Sequence, residues 1–174
     1  MKTISISTIV LFVTFIISSN KIIAQSGWFW QNPLSTEQTL NDVYAFDEHT
    51  SIAVGEAGTI IKTTDGGTSW VTLTGAGSDR LNSDYFIDSN TGWIVGNNGK
   101  IFKTTNGGTS WLPQISGVTD PLYSVFLINS NIGWIAGEDN TILKTTNGGT
   151  NWIFLQGVFP KSVESIYFTN ENNG

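Results

Sequence analysis

The octapeptide TTDGGTSW at Thr63–Trp70 returns as TTNGGTSW at Thr104–Trp111 and as TTNGGTNW at Thr145–Trp152. The three copies lie 41 residues apart, with no drift between them. A fixed period of about 40–45 residues indicates a repeat architecture, and this length suits one four-stranded blade of a β-propeller. The repeat therefore predicts an all-β propeller built from 41-residue blades.

The repeats stay in register outside the octapeptide, where an apolar residue opens each unit and an aromatic residue follows four positions later. In the second unit we expect four strands, separated by short turns rich in Asn, Gly, Asp and Ser. These strands are Leu81–Ile87, Gly92–Val95, Lys100–Thr105 and Thr109–Ile115. Apolar residues occur on both faces of the strands, which suits sheets that stack between neighbouring blades.

One residue breaks the repeat. Asp84 stands where the other units carry Val43, Val125 and Ile166. Two interpretations are open: either the second inner strand is locally rearranged, or a carboxylate faces a wet central axis.

The octapeptide has the composition of a hairpin turn. Asp-Gly or Asn-Gly between two apolar runs is a strong hairpin signal, and the Asp or Asn oxygen can accept backbone hydrogen bonds within the turn. Each Trp can then cover the hairpin and the neighbouring blade, so we expect all three Trp to be largely buried at equivalent sites. We assign the motif a structural role, not a catalytic or metal-binding one. Its residues are Thr63, Asp65, Gly67, Trp70, Thr104, Asn106, Gly108, Trp111, Thr145, Asn147, Gly149 and Trp152.

The pattern Ser/Thr-x-Asp-x-Gly-x-x-Trp resembles the Asp-box or BNR repeat, with Asn replacing Asp in two copies. The longer string LNxxYFIDxNxGWxVGxxGxIxKTTxGGxxW resembles the propeller family of photosystem II stability and assembly factors. The resemblance implies a propeller with the motif at the blade periphery, away from the ligand face. It also implies kinship with secreted bacterial members that have no link to photosynthesis. Fold alone does not imply function.

The N-terminus is typical of a secretory signal peptide over residues 1–24, with Lys2, an apolar stretch around Ile9–Ile17 and Ala24 before the cleavage point. This predicts a secreted, periplasmic or cell-surface protein with no membrane span in the mature chain. The sequence has no cysteine, so neither a lipoprotein anchor nor a disulfide is available. Without Lys2 and Lys21, six basic and fourteen acidic residues remain. Nucleic acid and anionic lipid are therefore poor partners.

The remaining residues, 25–174, are predicted to form an incomplete propeller of three whole blades and partial strands. We expect a lone outer strand at 25–39, blades at 40–80, 81–121 and 122–161, and the start of another blade at 162–174. Propellers usually need about 4–8 blades, and three blades would leave exposed sheet edges. We therefore expect a truncated product whose C-terminal blades are missing. The alternative is an open arc that closes by self-association.

Turns between second and third strands share one face of a propeller with the inter-blade loops. The polar residues predicted there, or on the axis beside it, form a possible ligand face for a protein or glycan. They are Glu56, Arg80, Asp84, Asn97, Glu138 and Asp139. The alternative interpretation is an ordinary solvated loop surface.

Signals for catalysis are thin. A sialidase of the Asp-box type needs several arginines, and this chain has only Arg80. His49 is the single histidine and falls in a predicted turn, so no histidine-dependent site is supported. We predict no catalytic residue, metal or cofactor. The leading hypothesis is an exported, non-catalytic propeller that binds protein or glycan and is a fragment of a longer protein. The alternative is a fragment of an Asp-box glycoside hydrolase, sialidase-like or glucanase-like.

Overall fold

The computed structural model describes residues 36–155 and 161–174. The predicted signal peptide and residues 25–35 of the predicted lone outer strand lie outside the described residues, as do residues 156–160 of the predicted third blade. Within the described ranges, no helix has the length and apolar character needed to cross a membrane.

Three four-stranded antiparallel sheets follow one another along the chain, each with its strands in sequence order. The first contains β1 (Leu40–Ala45), β2 (Ser51–Gly55), β3 (Ile60–Thr63) and β4 (Val71–Leu73). The second contains β5 (Leu81–Phe86), β6 (Gly92–Gly96), β7 (Ile101–Thr104) and β8 (Leu112–Gln114). The third contains β9 (Leu122–Leu127), β10 (Gly133–Gly137), β11 (Ile142–Thr145) and β12 (Ile153–Phe154). The predicted all-β propeller fold, with three whole four-stranded blades in this chain, is confirmed.

The hydrophobic core lies between the sheets. Ile52 and Ile60 of the first sheet pack with Leu81, Ile94 and Trp111 of the second, and all five are buried. An equivalent cluster joins the second sheet to the third. Each sheet is therefore buried on a face that meets its neighbour, which explains the apolar residues on both sides of the strands.

A lysine on the third strand reinforces this packing in the first two blades. Lys62 Nζ donates to the carbonyl oxygen of Gly107 at 2.8 Å, and Lys103 Nζ donates to that of Gly148 at 2.9 Å. The acceptors belong to the octapeptide turn of the next blade. The repeat thus specifies contacts between blades as well as those within each blade.

The expectation that all three octapeptide Trp are largely buried is wrong for Trp70. Trp111 is 5% exposed and Trp152 is 8% exposed, but Trp70 is only partly buried. Each buried Trp packs against the preceding sheet. Trp70 lies on the outer face of the first sheet, where Leu40 and Val43 are 43% and 61% exposed. No other described sheet covers that face.

The fourth strand of the second blade is shorter than predicted. In the second sheet we expected Thr109–Ile115, whereas β8 spans only Leu112–Gln114. The reason is that Thr109 still belongs to the octapeptide turn, where its amide and hydroxyl both bond to the carbonyl oxygen of Asn106. The turn therefore takes residues that the sequence pattern assigned to the strand.

Residues 161–174 lie against the third sheet. The amide of Val163 donates to the carbonyl oxygen of Gly137 at 3.0 Å, and Phe168 stacks on Trp134 with ring centroids 3.7 Å apart. One repeat earlier, Leu127 and Trp93 occupy the positions of Phe168 and Trp134. These two residues also pack in one hydrophobic cluster. The segment thus occupies the place that an inner strand takes in the preceding units.

Candidate functional site

The octapeptide turns use their polar side chains on themselves. In the first copy, the Thr63 hydroxyl donates to Asp65 Oδ1 at 2.8 Å and accepts from the Gly67 amide at 2.9 Å. The Ser69 amide and hydroxyl donate to the two oxygens of Asp65, at 2.9 and 2.6 Å. These bonds, with that from the Ser69 hydroxyl the strongest, lower the pKa of Asp65 to about 2.

The copies with Asn keep the same geometry. Thr104 and Thr145 donate to Asn106 and Asn147 Oδ1 at 2.9 and 3.1 Å. Both Asn oxygens accept the amide four residues later at 2.9 Å. A neutral amide oxygen therefore replaces the carboxylate without loss of the turn. All three turns lie between third and fourth strands, as the resemblance implied, and their acceptors are occupied within the hairpin.

The turns between second and third strands lie beside the inter-blade loops. The Asn97 amide donates to the carbonyl oxygen of Arg80 at 2.9 Å, and the Glu138 amide donates to that of Pro121 at 2.8 Å. Gly96 precedes Asn97, and a Cβ there would lie 2.2 Å from the Arg80 carbonyl oxygen. Only glycine permits this close approach, so Gly96 helps to hold Arg80 at the face where the turns end.

A β-bulge recurs at the same place in all three sheets. In β1, Leu40 pairs with Gly55 but Asp42 pairs with Val54, so Asn41 is an extra residue. The same shift makes Asn82 the extra residue of β5 and Tyr123 that of β9. Bulges redirect side chains and are common beside binding sites.

The bulged side chains border a cleft of about 430 Å³. The cleft is lined by Asn41, Arg80, Asn82, Asn97, Pro121, Tyr123 and Glu164. Glu164 occupies the repeat position of the three bulged residues. One position in four successive units therefore supplies two amides, a phenol and a carboxylate to one concave surface.

Arg80 links two blades at this cleft. Its guanidinium forms an ion pair with Glu56 at 3.1 Å, and it donates to the Oδ1 atoms of Asn82 and Asn41 at 2.9 and 3.2 Å. Asn82 in turn donates to Asn97 Oδ1 at 3.0 Å. Of the predicted ligand-face residues, Glu56, Arg80 and Asn97 are thus brought together.

Tyr123 lies close to two carboxylates, those of Glu138 and Glu164. Burial, followed by the negative charges of Glu138 and Glu164, raises the pKa of Tyr123, and a hydrogen bond to Glu138 acts in the same direction. Glu138 is therefore beside the cleft. Asp139 is exposed at the tip of the same turn and is not among the residues that line the cleft.

Asp84 is not at the ligand face. It pairs with Ile94 in the same register as Val43 with Ala53, so the inner strand is not rearranged. Its side chain is 5% exposed, and neither carboxylate oxygen has a hydrogen-bond partner among the described residues. Both interpretations offered for Asp84 are therefore wrong: the carboxyl group is buried in regular structure, because the neighbouring blade covers it.

The bulged position and Glu164 were missed by sequence reasoning, although a signal was present. This position carries Asn41 and Asn82 in two units and then Tyr123 and Glu164, whereas the residue before it is always apolar. A variable position beside a constant one is the signature expected of a surface that binds rather than supports. No group of three or more His, Cys, Asp or Glu suited to a metal occurs in residues 36–155 and 161–174.

A family model described as photosynthesis system II assembly factor YCF48 matches residues 77–166. The match spans just over half of the 174 residues and includes most of the cleft. The chain belongs to this family. Comparison with curated protein sequences gives no match.

Solved structures with the same fold include two YCF48 proteins. One, bound to a D1 peptide, has a TM-score of 0.62 and 28% identity over 70% of this chain and 41% of its own. The other, from Cyanidioschyzon merolae, has a TM-score of 0.61 and 25% identity over 71% of this chain and 38% of its own. The present chain thus spans less than half the length of either.

An ancestral GH74 enzyme is also similar, with a TM-score of 0.61 and 19% identity over 81% of this chain and 21% of its own. A GH74 enzyme from Niastella koreensis has a TM-score of 0.53 at the same identity, over 67% of this chain and 22% of its own. Identities this low show a shared fold alone.

Proposed function

We propose that this chain is an exported, non-catalytic propeller module that binds a peptide segment of a partner protein in the cleft of bulged residues. The observation that carries the proposal is the convergence of Asn41, Asn82 and Tyr123 on one concave surface, together with Arg80. The amide nitrogens of Asn41 and Asn82 donate to the carbonyl oxygens of Leu81 and Leu122 at 2.7 and 2.8 Å. Their Oδ1 atoms keep a lone pair that can accept a backbone N–H of a bound peptide. A related YCF48 has been solved with a peptide bound, which supports a protein ligand over a glycan.

The proposal is tested by selecting binders to the folded chain from a surface-displayed library of random dodecapeptides, with a glycan array in parallel. We expect selected peptides to bind, and Tyr123→Ala to weaken their binding at least about tenfold, as loss of an interface aromatic does. Asn90→Ala is the control, because this exposed residue lies on the β5–β6 turn at the opposite end of the strands.

If Asn90→Ala weakened binding as much as Tyr123→Ala, the peptide site would lie elsewhere. If the chain bound glycans and no peptide were selected, the ligand of the cleft would be a sugar and the peptide-binding proposal would be wrong.

The non-catalytic part of the proposal has its own test. Asp84 is the residue that departs from the repeat, and it is buried away from the cleft, which argues against its attacking a substrate. We expect no hydrolysis of aryl glycosides by the wild type. Turnover that disappears in a folded Asp84→Asn variant would instead identify a glycoside hydrolase.

The exposed outer face of the first sheet supports a further part of the proposal, namely that additional blades of a longer protein cover it. Leu40 and Val43 are exposed there, whereas Leu81 and Leu122, which align with Leu40, are fully buried. Sequencing the gene downstream of the last codon tests this, and an open frame with more octapeptide copies is expected. Mass spectrometry of the mature protein tests export, for which we expect cleavage after Ala24.

A further inference from the structure

The cleft carries an uneven charge distribution. Its single cationic group is Arg80, whose guanidinium is 3.1 Å from the Glu56 carboxylate and also donates to two Asn side chains. Its positive charge is therefore largely balanced within the protein. The opposite end of the cleft holds Glu164, which is exposed and, like Glu138, is close enough to Tyr123 to affect the pKa of its phenol.

The two carboxylates at that end are not neutralised. Neither Glu138 nor Glu164 forms an ion pair with any described residue. Burial, followed by the charges of these two carboxylates, raises the pKa of the Tyr123 phenol, and the smaller effect of Arg80 opposes it. The field of the two carboxylates attracts a cation. An aromatic face next to a carboxylate is also a favourable place for Lys or Arg, since cation–π and charge-assisted hydrogen bonds add.

The bulge in β9 places the aromatic ring for this role. It makes Tyr123 the extra residue between Leu122 and Ser124, and the ring borders the cleft while Leu122 stays in the core. The amides of Asn41 and Asn82 occupy the corresponding bulges toward the other end. The cleft thus has a polar, neutral part and an anionic part.

We propose that the anionic part, formed by Tyr123, Glu138 and Glu164, binds a Lys or Arg side chain of the partner segment, and that this contact selects basic peptides. The inference rests on the proposed function, because it assigns a side-chain preference to the same cleft. It also agrees with the fourteen acidic residues of the chain, which favour a basic partner at long range.

The test uses the charge of peptides selected from the random dodecapeptide library. The expected result is enrichment of Lys and Arg over the naive library. Glu164→Gln should weaken the binding of the best basic peptide by roughly two- to fivefold, the effect expected from loss of an exposed ion pair. The double variant Glu138→Gln/Glu164→Gln should abolish the enrichment. Glu48→Gln, the same change on the β1–β2 turn at the opposite end of the strands, should leave it unchanged.

The outcomes separate this inference from the function beneath it. Peptides that bind in the cleft but show no basic enrichment, or an acidic one, overturn the preference and leave the binding function standing. Enrichment that persists in the double variant places the cation elsewhere and also overturns the assignment. A chain with native circular dichroism that selects no peptide overturns the binding function, and this inference falls with it.

Discussion

Replacing Asp84 with Val should stabilise this protein. Asp84 is 5% exposed in β5, and its carboxylate oxygens have no partner among the described residues. Its own amide donates to Asp42 Oδ2 at 3.0 Å, which brings a second carboxylate close. Desolvation, followed by the charge of Asp42, raises the pKa of Asp84 well above 3.8. Each of these features makes the residue unfavourable in the folded state.

The size of the gain follows from two terms. An unsatisfied buried polar group costs about 1–3 kcal/mol, and burying the methyl groups of Val adds roughly 1 kcal/mol. The aligned residue Val125 is 4% exposed at the same place in β9, so the site accepts this side chain without strain. We therefore expect Asp84→Val to raise the free energy of unfolding by about 2–4 kcal/mol near neutral pH.

The effect should depend on pH in a defined direction. The folded chain holds the Asp84 proton more tightly than the unfolded chain, where the pKa is near 3.8. The stability that this proton contributes is complete below pH 3.8 and is lost as pH rises through the higher pKa of the folded state. The advantage of Asp84→Val should therefore grow as pH rises, and Asp84→Asn should lack this pH dependence.

Urea unfolding of the wild type and both variants, from about pH 4 to pH 7, measures the stability difference at each pH, provided that the m-value is unchanged. Val43→Asp is the matched control. It introduces the same carboxylate at the aligned position of β1, where Val43 is 61% exposed, and should change stability little. Loss of stability in Asp84→Val would refute the reasoning, because it would mean that the carboxylate makes a favourable interaction in the folded protein.

Two further predictions concern the octapeptide. Trp111→Ala should lower the free energy of unfolding by roughly 3–5 kcal/mol, as for a buried large-to-small change. Trp70→Ala should lower it by clearly less, because Trp70 is partly exposed. Equal urea midpoints for the two variants would contradict this prediction. Asp65 has its pKa lowered to about 2, so its bonds contribute stability above pH 3.8 that is lost as pH falls toward 2. Asp65→Asn should remove that acid sensitivity. If the wild type and Asp65→Asn lost stability over the same pH range during acid titration, the prediction would be wrong.

The repeat made the fold predictable because it reports the same environment three times. A residue that recurs at 41-residue spacing, such as Trp93 and Trp134, must satisfy the same neighbours in each blade, and both are buried. Trp70 shows the limit of that argument. Its sequence context is that of Trp111, but burial depends on which sheet lies against it, and the octapeptide itself contains no such information.

The candidate site was only partly predictable, and the reason is the bulge. Strand alternation places residues two apart on one face, so Asn82 and Asp84 look equivalent in the sequence. The extra residue in β5 shifts the register between Leu81 and Ser83. Asn82 therefore reaches the cleft, whereas Asp84 is buried between blades. Bulges depend on pairing with the next strand, and a single sequence does not show that pairing.

The order of side chains along the cleft gives it a direction. Successive blades present Asn41, Asn82, Tyr123 and Glu164 at one repeat position, so the lining changes from neutral amides to an aromatic ring and then to a carboxylate. A bound segment that donates backbone N–H groups to the Oδ1 atoms of Asn41 and Asn82 and offers a basic side chain to Tyr123 would lose one set of contacts if it were reversed. A propeller whose scaffold is nearly identical from blade to blade can therefore hold an asymmetric ligand in a single orientation, because the bulged residues that line the cleft change their chemistry from one end to the other.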